Sequence, residues 1–455
     1  MTDFDFDVLV IGGGTGNNVA AAAADAGLET ALVEPGPLGG TCLNRGCNPS
    51  KMLIQAATAV DGVREAGRFH ADVTLHDVDY AAVVDDMDDL LGTLAADMAT
   101  RYREHPHLTL FDEYTEFVDE RTVELGGEAV SAAKVVVATG SRPLVPPIDG
   151  LDDADYLTSR DALYRREVPD SLVILGGGYI AVELGYVFGT MGADVTILEK
   201  NDRLVHREDD DVAAAFTDIA ADRHAVHTGR LVTAIESASD GYAVHAESED
   251  GDEVVVEGDE VLVALGRRPN TDDLNLDAAG IAVDDRGFVE TDEYLRTTAE
   301  NVWAQGDVAG NALFKHAGDY ETRHTVANVV HGEARVLDLT AMPHAIFTAP
   351  QMAGVGATED ELVADGRDYV RGRADYADSA MGRAKKLDHG FVKVLAAPDG
   401  ELLGAHAIGY EASTLVHELV LAMRGGLTVD DVAGAIHAHP TLSKVVEAAA
   451  RDATA

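Results

Sequence analysis

Basic residues, cysteines and long apolar runs are all scarce in this chain of 455 residues. No stretch approaches the roughly 20 consecutive apolar residues that cross a membrane, so no membrane span is expected. The opening MTDFDF carries no basic segment leading into an apolar core, which points to the cytoplasm rather than to secretion. Lys and Arg number only 34 against 81 Asp and Glu, a formal net charge of −47. A field of that sign repels nucleic acid and anionic membrane, so neither is expected as a partner. Cysteine occurs twice, at Cys42 and Cys47. In a cytosolic chain so close a pair serves catalysis or metal binding more often than structure. Zinc would need two further ligands nearby, which the segment lacks, and the spacing differs from the usual two-residue metal and thioredoxin motifs; no metal site is expected.

What is present is ample for real cores. The chain is 46% hydrophobic and long enough for two to four domains. Its acidic residues are spread along the whole length, and runs such as DDMDD (85–89) and EDDD (208–211) are expected to form a solvated surface.

The first strand reads FDVLVIGGG (6–14), followed by the small-residue helix NNVAAAAADAG (17–27) and a second strand, ETALVEP (29–35). In this β-α-β start, Gly12 and Gly14 allow a tight turn and close approach to a pyrophosphate, which the helix N-terminus then faces. Glu34 ends the second strand 22 residues after Gly12, where an acid holds ribose hydroxyls; the third glycine position is occupied by Asn17. A second copy runs through SLVILGGGYIAVELGYVFGTMGADVTILEK (171–200), with Gly176, Gly178 and Ala181 at the fingerprint positions and Glu199 ending its strand. Two such units imply two dinucleotide sites, one for a tightly held flavin dinucleotide and one for an exchanging nicotinamide dinucleotide. Between them lies KVVVATGSRPLVPPIDG (134–150), in which a strand meets Thr139 and Gly140. The stretch EVLVALGRRPNT (260–271) reads as the matching return strand, and NVWAQGDVAG (301–310) ends in Gly306 and Asp307. A further segment begins near residue 343, and its strands FVKVLAA (391–397) and LLGAHAIG (402–409) lead to helices rich in Ala, Leu and Val.

The segment GGTCLNRGCNPSK (39–51) resembles the redox motif of the class I flavoprotein disulfide reductases, the family of dihydrolipoamide dehydrogenase and of glutathione, mycothione and mercuric reductases. ATGSRP (138–143), GGGYIAVE (176–183), GRRPNT (266–271), GDVAG (306–310), FTAPQ (347–351) and HAHPT (437–441) follow in the family's order. The resemblance implies an α/β fold of two nested Rossmann-like domains and a C-terminal α+β dimerisation domain. Residues 1–147 and 266–336 would bind FAD, 148–265 the nicotinamide nucleotide, and 337–455 would pair two subunits. It further implies that Cys42 is the outer thiol attacking a substrate disulfide and Cys47 the inner one exchanging electrons with the flavin. Lys51 and Glu183 would form the ion pair beside the flavin's reactive nitrogen. Asp307 would contact the flavin's sugar chain, and Thr41, Thr139, Gly140 and Gly266 would complete the cofactor contacts. Tyr179 matches a gating tyrosine at the nicotinamide pocket. His439 matches the catalytic base, which in the family reaches the dithiol of the other subunit.

Several positions depart from or refine that pattern. The family places a glutamate five residues after the base, where this chain has Lys444, which cannot accept an imidazole proton. Either another acid such as Glu447 orients His439 or the base is tuned differently. The absence of further cysteines removes the mercuric and large thioredoxin reductase readings. Lys200, His206 and Arg207, with Ala181, favour NADPH over NADH, although Glu199 suits NADH. Arg45 and Asn48 are candidates for recognising a carboxylate-bearing substrate. An acidic surface of this density resembles proteins of extreme halophiles, and by that analogy the expected substrate is the disulfide bis-γ-glutamylcystine, reduced for cell redox homeostasis. The alternatives are an NAD-linked dihydrolipoamide dehydrogenase, a flavoprotein electron carrier or oxidase with structural cysteines, and a flavin-binding subunit of a larger complex. The charge itself predicts that the melting temperature falls as KCl is diluted from molar to about 0.1 M, because self-repulsion is then less screened. A melting temperature unaffected by dilution would contradict this.

Overall fold

The computed structural model describes residues 4–239 and 241–454; the first three residues of the expected flavin-binding segment lie outside that range. The chain packs as two compact units.

The first unit comprises 1–52, 84–144 and 266–339. Its centre is a parallel sheet in the order Leu108–Phe111, Thr30–Val33, Phe6–Ile11, Glu128–Val137 and Val302–Ala304. Val8, Leu9 and Val10 are fully buried, as a strand covered on both faces requires. The long strand Glu128–Val137 also pairs antiparallel, through its first half, with Thr122–Leu125, which pairs with Glu116–Asp119. The alanine-rich helix Gly16–Asp25 lies against the sheet, and its side chains are small because the approach is close. A Cβ on Gly16 would come within 2.9 Å of both Ala138 Cβ and Val10 Cγ1. Asn17, at the third fingerprint position, is buried and donates from Nδ2 to the Gly13 carbonyl at 3.2 Å. It closes the turn with a side chain where the usual glycine closes it by absence of one.

The exit and return of the chain are held as a pair. Ser141–Pro143 and Arg267–Pro269 form a two-stranded antiparallel ribbon, and Leu144 N donates to Gly266 O at 2.9 Å. Asp272 receives both Arg142 and Arg268. The proline-containing GSRP finds its partner strand more than 120 residues away, and that strand supplies the pairing.

The second unit comprises 53–83, 145–265 and 340–455. It holds a five-stranded parallel sheet, in the order Ala225–His227, Asp194–Leu198, Ser171–Leu175, Glu260–Val263 and Leu157–Thr158, and a three-stranded antiparallel meander. It also holds the antiparallel sheet Pro343–Ile346, Gln351–Gly356, Leu402–Gly409, Phe391–Ala396 and Val370–Asp375. Helices Ala412–Arg424 and Ser443–Ala453 bury Leu415, Leu419, Val445 and Val446 against this last sheet.

The acidic run 208–211 is not wholly the solvated face expected of it. Glu208 and Asp209 are buried. Asp209 Oδ1 and Asp211 Oδ2 each lie 2.8 Å from Lys393 Nζ, which is itself buried within Phe391–Ala396, and Glu359 Oε2 lies 2.5 Å from the same ammonium. A lysine can be desolvated this far only when carboxylates replace its water shell, and removing a partner from such a cluster costs about 3–5 kcal/mol. The cluster ties the segment after Glu199 to the C-terminal sheet. Among the described residues no helix is long and apolar enough to cross a membrane.

Candidate active site

Cys42 and Cys47 sit on consecutive helices. Cys42 belongs to Gly40–Arg45, and Cys47 is the first residue of Cys47–Arg64; Gly46 breaks the run between them with φ −154° and ψ −113°. The segment is pressed onto the first glycine turn: Gly40 has φ +58°, and a Cβ there would come within 2.5 Å of Gly14 Cα. The dithiol is thereby seated beside the turn that would hold a dinucleotide.

The two thiols are not equivalent. The Cys42 thiol is pushed far up by its hydrogen bond with Cys47, by burial and by the Cys47 charge; Lys315 acts in the opposite direction, and Asp319 in the same one. Cys42 therefore keeps the proton of the pair. Cys47 opens its helix, where the dipole favours a thiolate. The partly buried Arg267 guanidinium is close enough to Cys47 for their charges to interact. Cys42 also contacts Asn48 Oδ1 at 3.8 Å. Arg45 lies elsewhere. A Cβ on Gly36 would meet Arg45 Nη2 at 3.1 Å and Glu34 Oε1 at 3.2 Å, so its fork rests on the turn beside Glu34. Of the two candidates for substrate recognition, only Asn48 faces the reactive sulfur. Lys315 and Asp319, paired across one turn of Lys315–Thr325, were missed from sequence because an i, i+4 ion pair reads as ordinary helix surface.

The first glycine turn fits a flavin dinucleotide. Gly12 has φ +109°, and a Cβ on it would lie 2.3 Å from the Ala138 carbonyl oxygen, so backbone alone can pass there. Gly14 leaves room: a Cβ there would meet nothing nearer than 3.8 Å. Glu34 accepts from Gly13 N at 2.6 Å and Gly36 N at 3.0 Å, presenting its carboxylate at the end of its strand. Thr139 donates to Asn270 O at 2.9 Å, and Gly140 and Gly266 both take positive φ. Thr41 follows Gly40 in the dithiol helix. Asp307 follows Gly306 (φ +73°) and accepts from the Ser141 hydroxyl; Arg267 Nε donates to Ser141 Oγ at 2.8 Å. Arg267 was the residue missed within GRRPNT: an arginine four positions beyond the apolar strand Glu260–Val263 was the available signal.

The second turn repeats this geometry. Gly176 has φ +102°, and a Cβ on it would lie 2.6 Å from Ala264 O, whereas one on Gly178 would meet nothing within 4 Å. Glu199 is buried and accepts from Gly177 N at 2.5 Å and Asn201 N at 2.8 Å. Lys200, His206 and Arg207 are exposed around it. The turn therefore fits a second dinucleotide. Tyr179 opens helix Tyr179–Met191, in which Ala181 is fully buried and Glu183 accepts from Phe347 N at 2.9 Å. Lys51 lies one turn beyond Cys47, its Nζ 3.3 Å from Ser50 Oγ.

His439 is exposed, between Val429–Gly434 and Ser443–Ala453. Glu447, considered from sequence as its orienting acid, is engaged elsewhere. It binds Lys444, accepts from Arg451 Nη2 at 2.6 Å, and lies 3.7 Å from Nδ1 of His437. His437 is in turn held by Glu418. Lys444 thus neutralises the acid in this helix instead of supplying one.

Comparison with known proteins agrees with this geometry. The family described as "Pyridine nucleotide-disulphide oxidoreductase" matches residues 6–333, and its dimerisation domain matches 342–450. A protein of Halobacterium salinarum named dihydrolipoyl dehydrogenase is 41% identical over 98% of this chain and 96% of its own. The mycothione reductase of Mycobacterium tuberculosis is 36% identical over 97% and 98%. Among solved structures, the HOCl-induced flavoprotein disulfide reductase RclA of Escherichia coli superposes with a TM-score of 0.86 at 28% identity, covering 98% of this chain and 99% of that one.

One buried acid beside Asp307 generates a pH prediction. Glu321 is wholly buried, accepts from Gly306 N at 2.5 Å and from Asn311 Nδ2 at 3.1 Å, and burial raises its pKa from the ordinary 4.5 to about 7. Its folded value is raised, so stability is lost as pH rises from about 4.5 through about 7. Glu321→Gln keeps an acceptor for Gly306 without the charge. Its gain in melting temperature over the parent should grow between pH 5.5 and 8 in molar KCl. A difference independent of pH would contradict the assignment.

Proposed function

The chain belongs to the pyridine nucleotide-disulphide oxidoreductase family, and we propose that it is a cytoplasmic flavoprotein reductase of a small-molecule disulfide, with bis-γ-glutamylcystine as the substrate and NADPH as the electron donor. Residues 1–147 and 266–336 hold FAD, 148–265 hold the nucleotide, and 337–455 pair two subunits, as the dimerisation-domain match supports. The observation that carries the reading is the Cys42–Cys47 pair, the chain's only cysteines, seated on the flavin turn with its proton biased to Cys42.

FAD, when bound, supplies the two-electron relay between the nicotinamide and the dithiol. Lys51 and Glu183 are the charged residues that would tune that relay. In the reduced pair the partner's His439 takes the Cys42 proton. The Cys42 thiolate attacks one substrate sulfur, forming a mixed disulfide and expelling the first thiolate, which takes that proton from the imidazole. The Cys47 thiolate then attacks Cys42 Sγ, restoring the intramolecular disulfide and expelling the second substrate half as a thiolate, which takes its proton from solvent. Two electrons and two protons thus reduce one disulfide to two thiols.

The charges around the site support this choice of substrate and nucleotide. Asn48 and the Lys315–Asp319 ion pair make the surroundings of Cys42 polar, which suits a small disulfide bearing carboxylates. Lys200, His206 and Arg207 are exposed and would be available to a 2′-phosphate, and the Glu199 carboxylate is occupied by backbone donors. The second reading is an NAD-linked dihydrolipoyl dehydrogenase, favoured by Glu199 itself and by the name of the Halobacterium salinarum relative.

The deciding assay uses the FAD-loaded dimer in molar KCl, with NADPH or NADH, against bis-γ-glutamylcystine and separately lipoamide. The reductase reading expects fast NADPH oxidation with the first disulfide and at least about a 100-fold loss in Cys42→Ser. Turnover mainly with NAD and dihydrolipoamide would replace it by the second reading. Activity retained in Cys42→Ser would remove both.

A further inference from the structure

The mouth of the nucleotide site contains a hydrogen-bonded chain that the reaction does not require. The Tyr179 hydroxyl donates to Glu208 Oε1 at 2.6 Å, and the other carboxylate oxygen, Oε2, lies 2.8 Å from His344 Nε2. The Glu208 side chain has no exposed surface, and that of His344 has 18%. The Tyr179 and His344 rings lie nearly parallel, 23° apart, with centroids 6.3 Å apart. Burial, together with the Glu208 charge, raises the tyrosine pKa far above its ordinary value, so the phenol remains the donor.

Glu208 and His344 are both anchored. Glu208 N donates to Val205 O, and Val205 N donates to Gly177 O, both at 2.8 Å, which pins the loop to the glycine turn. Val205 takes φ +47°, unusual for a β-branched residue and sustained only where surrounding contacts determine it. The next residue, Asp209, is held by Lys393 and accepts from Glu359 N at 3.1 Å. His344 stands on Pro343–Ile346 opposite Gly354, where a Cβ would come within 2.6 Å of the His344 ring and 2.8 Å of His406 Nδ1. Tyr179 stands on the first turn of helix Tyr179–Met191.

We propose that Glu208 and His344 are positioning residues that latch Tyr179, so that a nicotinamide nucleotide binds only by breaking the Tyr179–Glu208 hydrogen bond. The inference rests on the reading of Tyr179 as the gate of the nicotinamide pocket. Because the bond is charge-assisted and buried, it opposes binding by a measurable factor, and that factor is set from the C-terminal sheet through His344. The latch therefore sets nucleotide affinity from outside the nucleotide-binding residues.

The test is calorimetric titration of the FAD-loaded dimer in molar KCl with NADP⁺ and with NAD⁺, alongside melting temperatures. Glu208→Gln and His344→Leu should each tighten binding of the preferred nucleotide by about 10-fold, the order expected for one charge-assisted hydrogen bond. His344→Gln, which restores an amide donor near Nε2, should return affinity towards the parent. Tyr179→Phe should tighten binding comparably, and its combination with Glu208→Gln should add nothing further. Unchanged or weaker binding in Glu208→Gln and His344→Leu, with Tyr179→Phe still effective, overturns the latch and leaves the gate standing. Unaltered nucleotide affinity in Tyr179→Ala overturns the gate and the latch with it. If Glu208→Gln does not fold, the two His344 variants decide alone.

Discussion

The reactive site depends on backbone meeting backbone with no side chain between. Gly12 lies so close to Ala138, and Gly40 so close to Gly14, that a single methyl at either position would collide with main-chain atoms. This contact places the dithiol against the dinucleotide turn. Because Gly46 then restarts the helix at Cys47, two sulfurs five positions apart are brought together and share a proton unequally. Reactivity is therefore a consequence of close packing before it is a consequence of any one residue's chemistry. Arg267 and Lys315 act on a geometry already set, one through Cys47 and the other through Cys42.

The second unit solves a different problem, that of keeping a loop in place within a strongly acidic chain. Three carboxylates gather on Lys393, and Glu208 bridges Tyr179 to His344. In a chain carrying a net charge of −47, scarce cations are valuable where they are buried, since each can hold several acids at once. The same scarcity gives Lys444 its effect. It occupies Glu447, and the helix that carries the family's acid in other members carries a neutralised cluster here.

The fold and the dithiol were legible because they are local. Gly12, Gly14 and Glu34, and again Gly176, Gly178 and Glu199, lie within about two dozen residues of one another, and the strands between them are continuous apolar runs. What escaped sequence reading was long-range. The GSRP ribbon pairs with a strand more than 120 residues away. Glu208 and Asp209 look like solvated surface until His344 and Lys393 arrive from the C-terminal sheet. Lys315 and Asp319 look like an ordinary helical ion pair until their helix is set near Cys42. Charge in a linear pattern marks a surface only when no distant partner claims it.

The central claim is that Cys42 and Cys47 are one redox couple, addressed by the nucleotide, in which Cys42 is the thiol offered to substrate. Alkylation with iodoacetamide before and after addition of NADPH, with each cysteine followed by peptide mass, tests it most directly. The account predicts neither cysteine modified in the oxidised protein, and Cys42 modified ahead of Cys47 once NADPH is added to the FAD-loaded dimer. Equal modification of both cysteines without any reductant would contradict it.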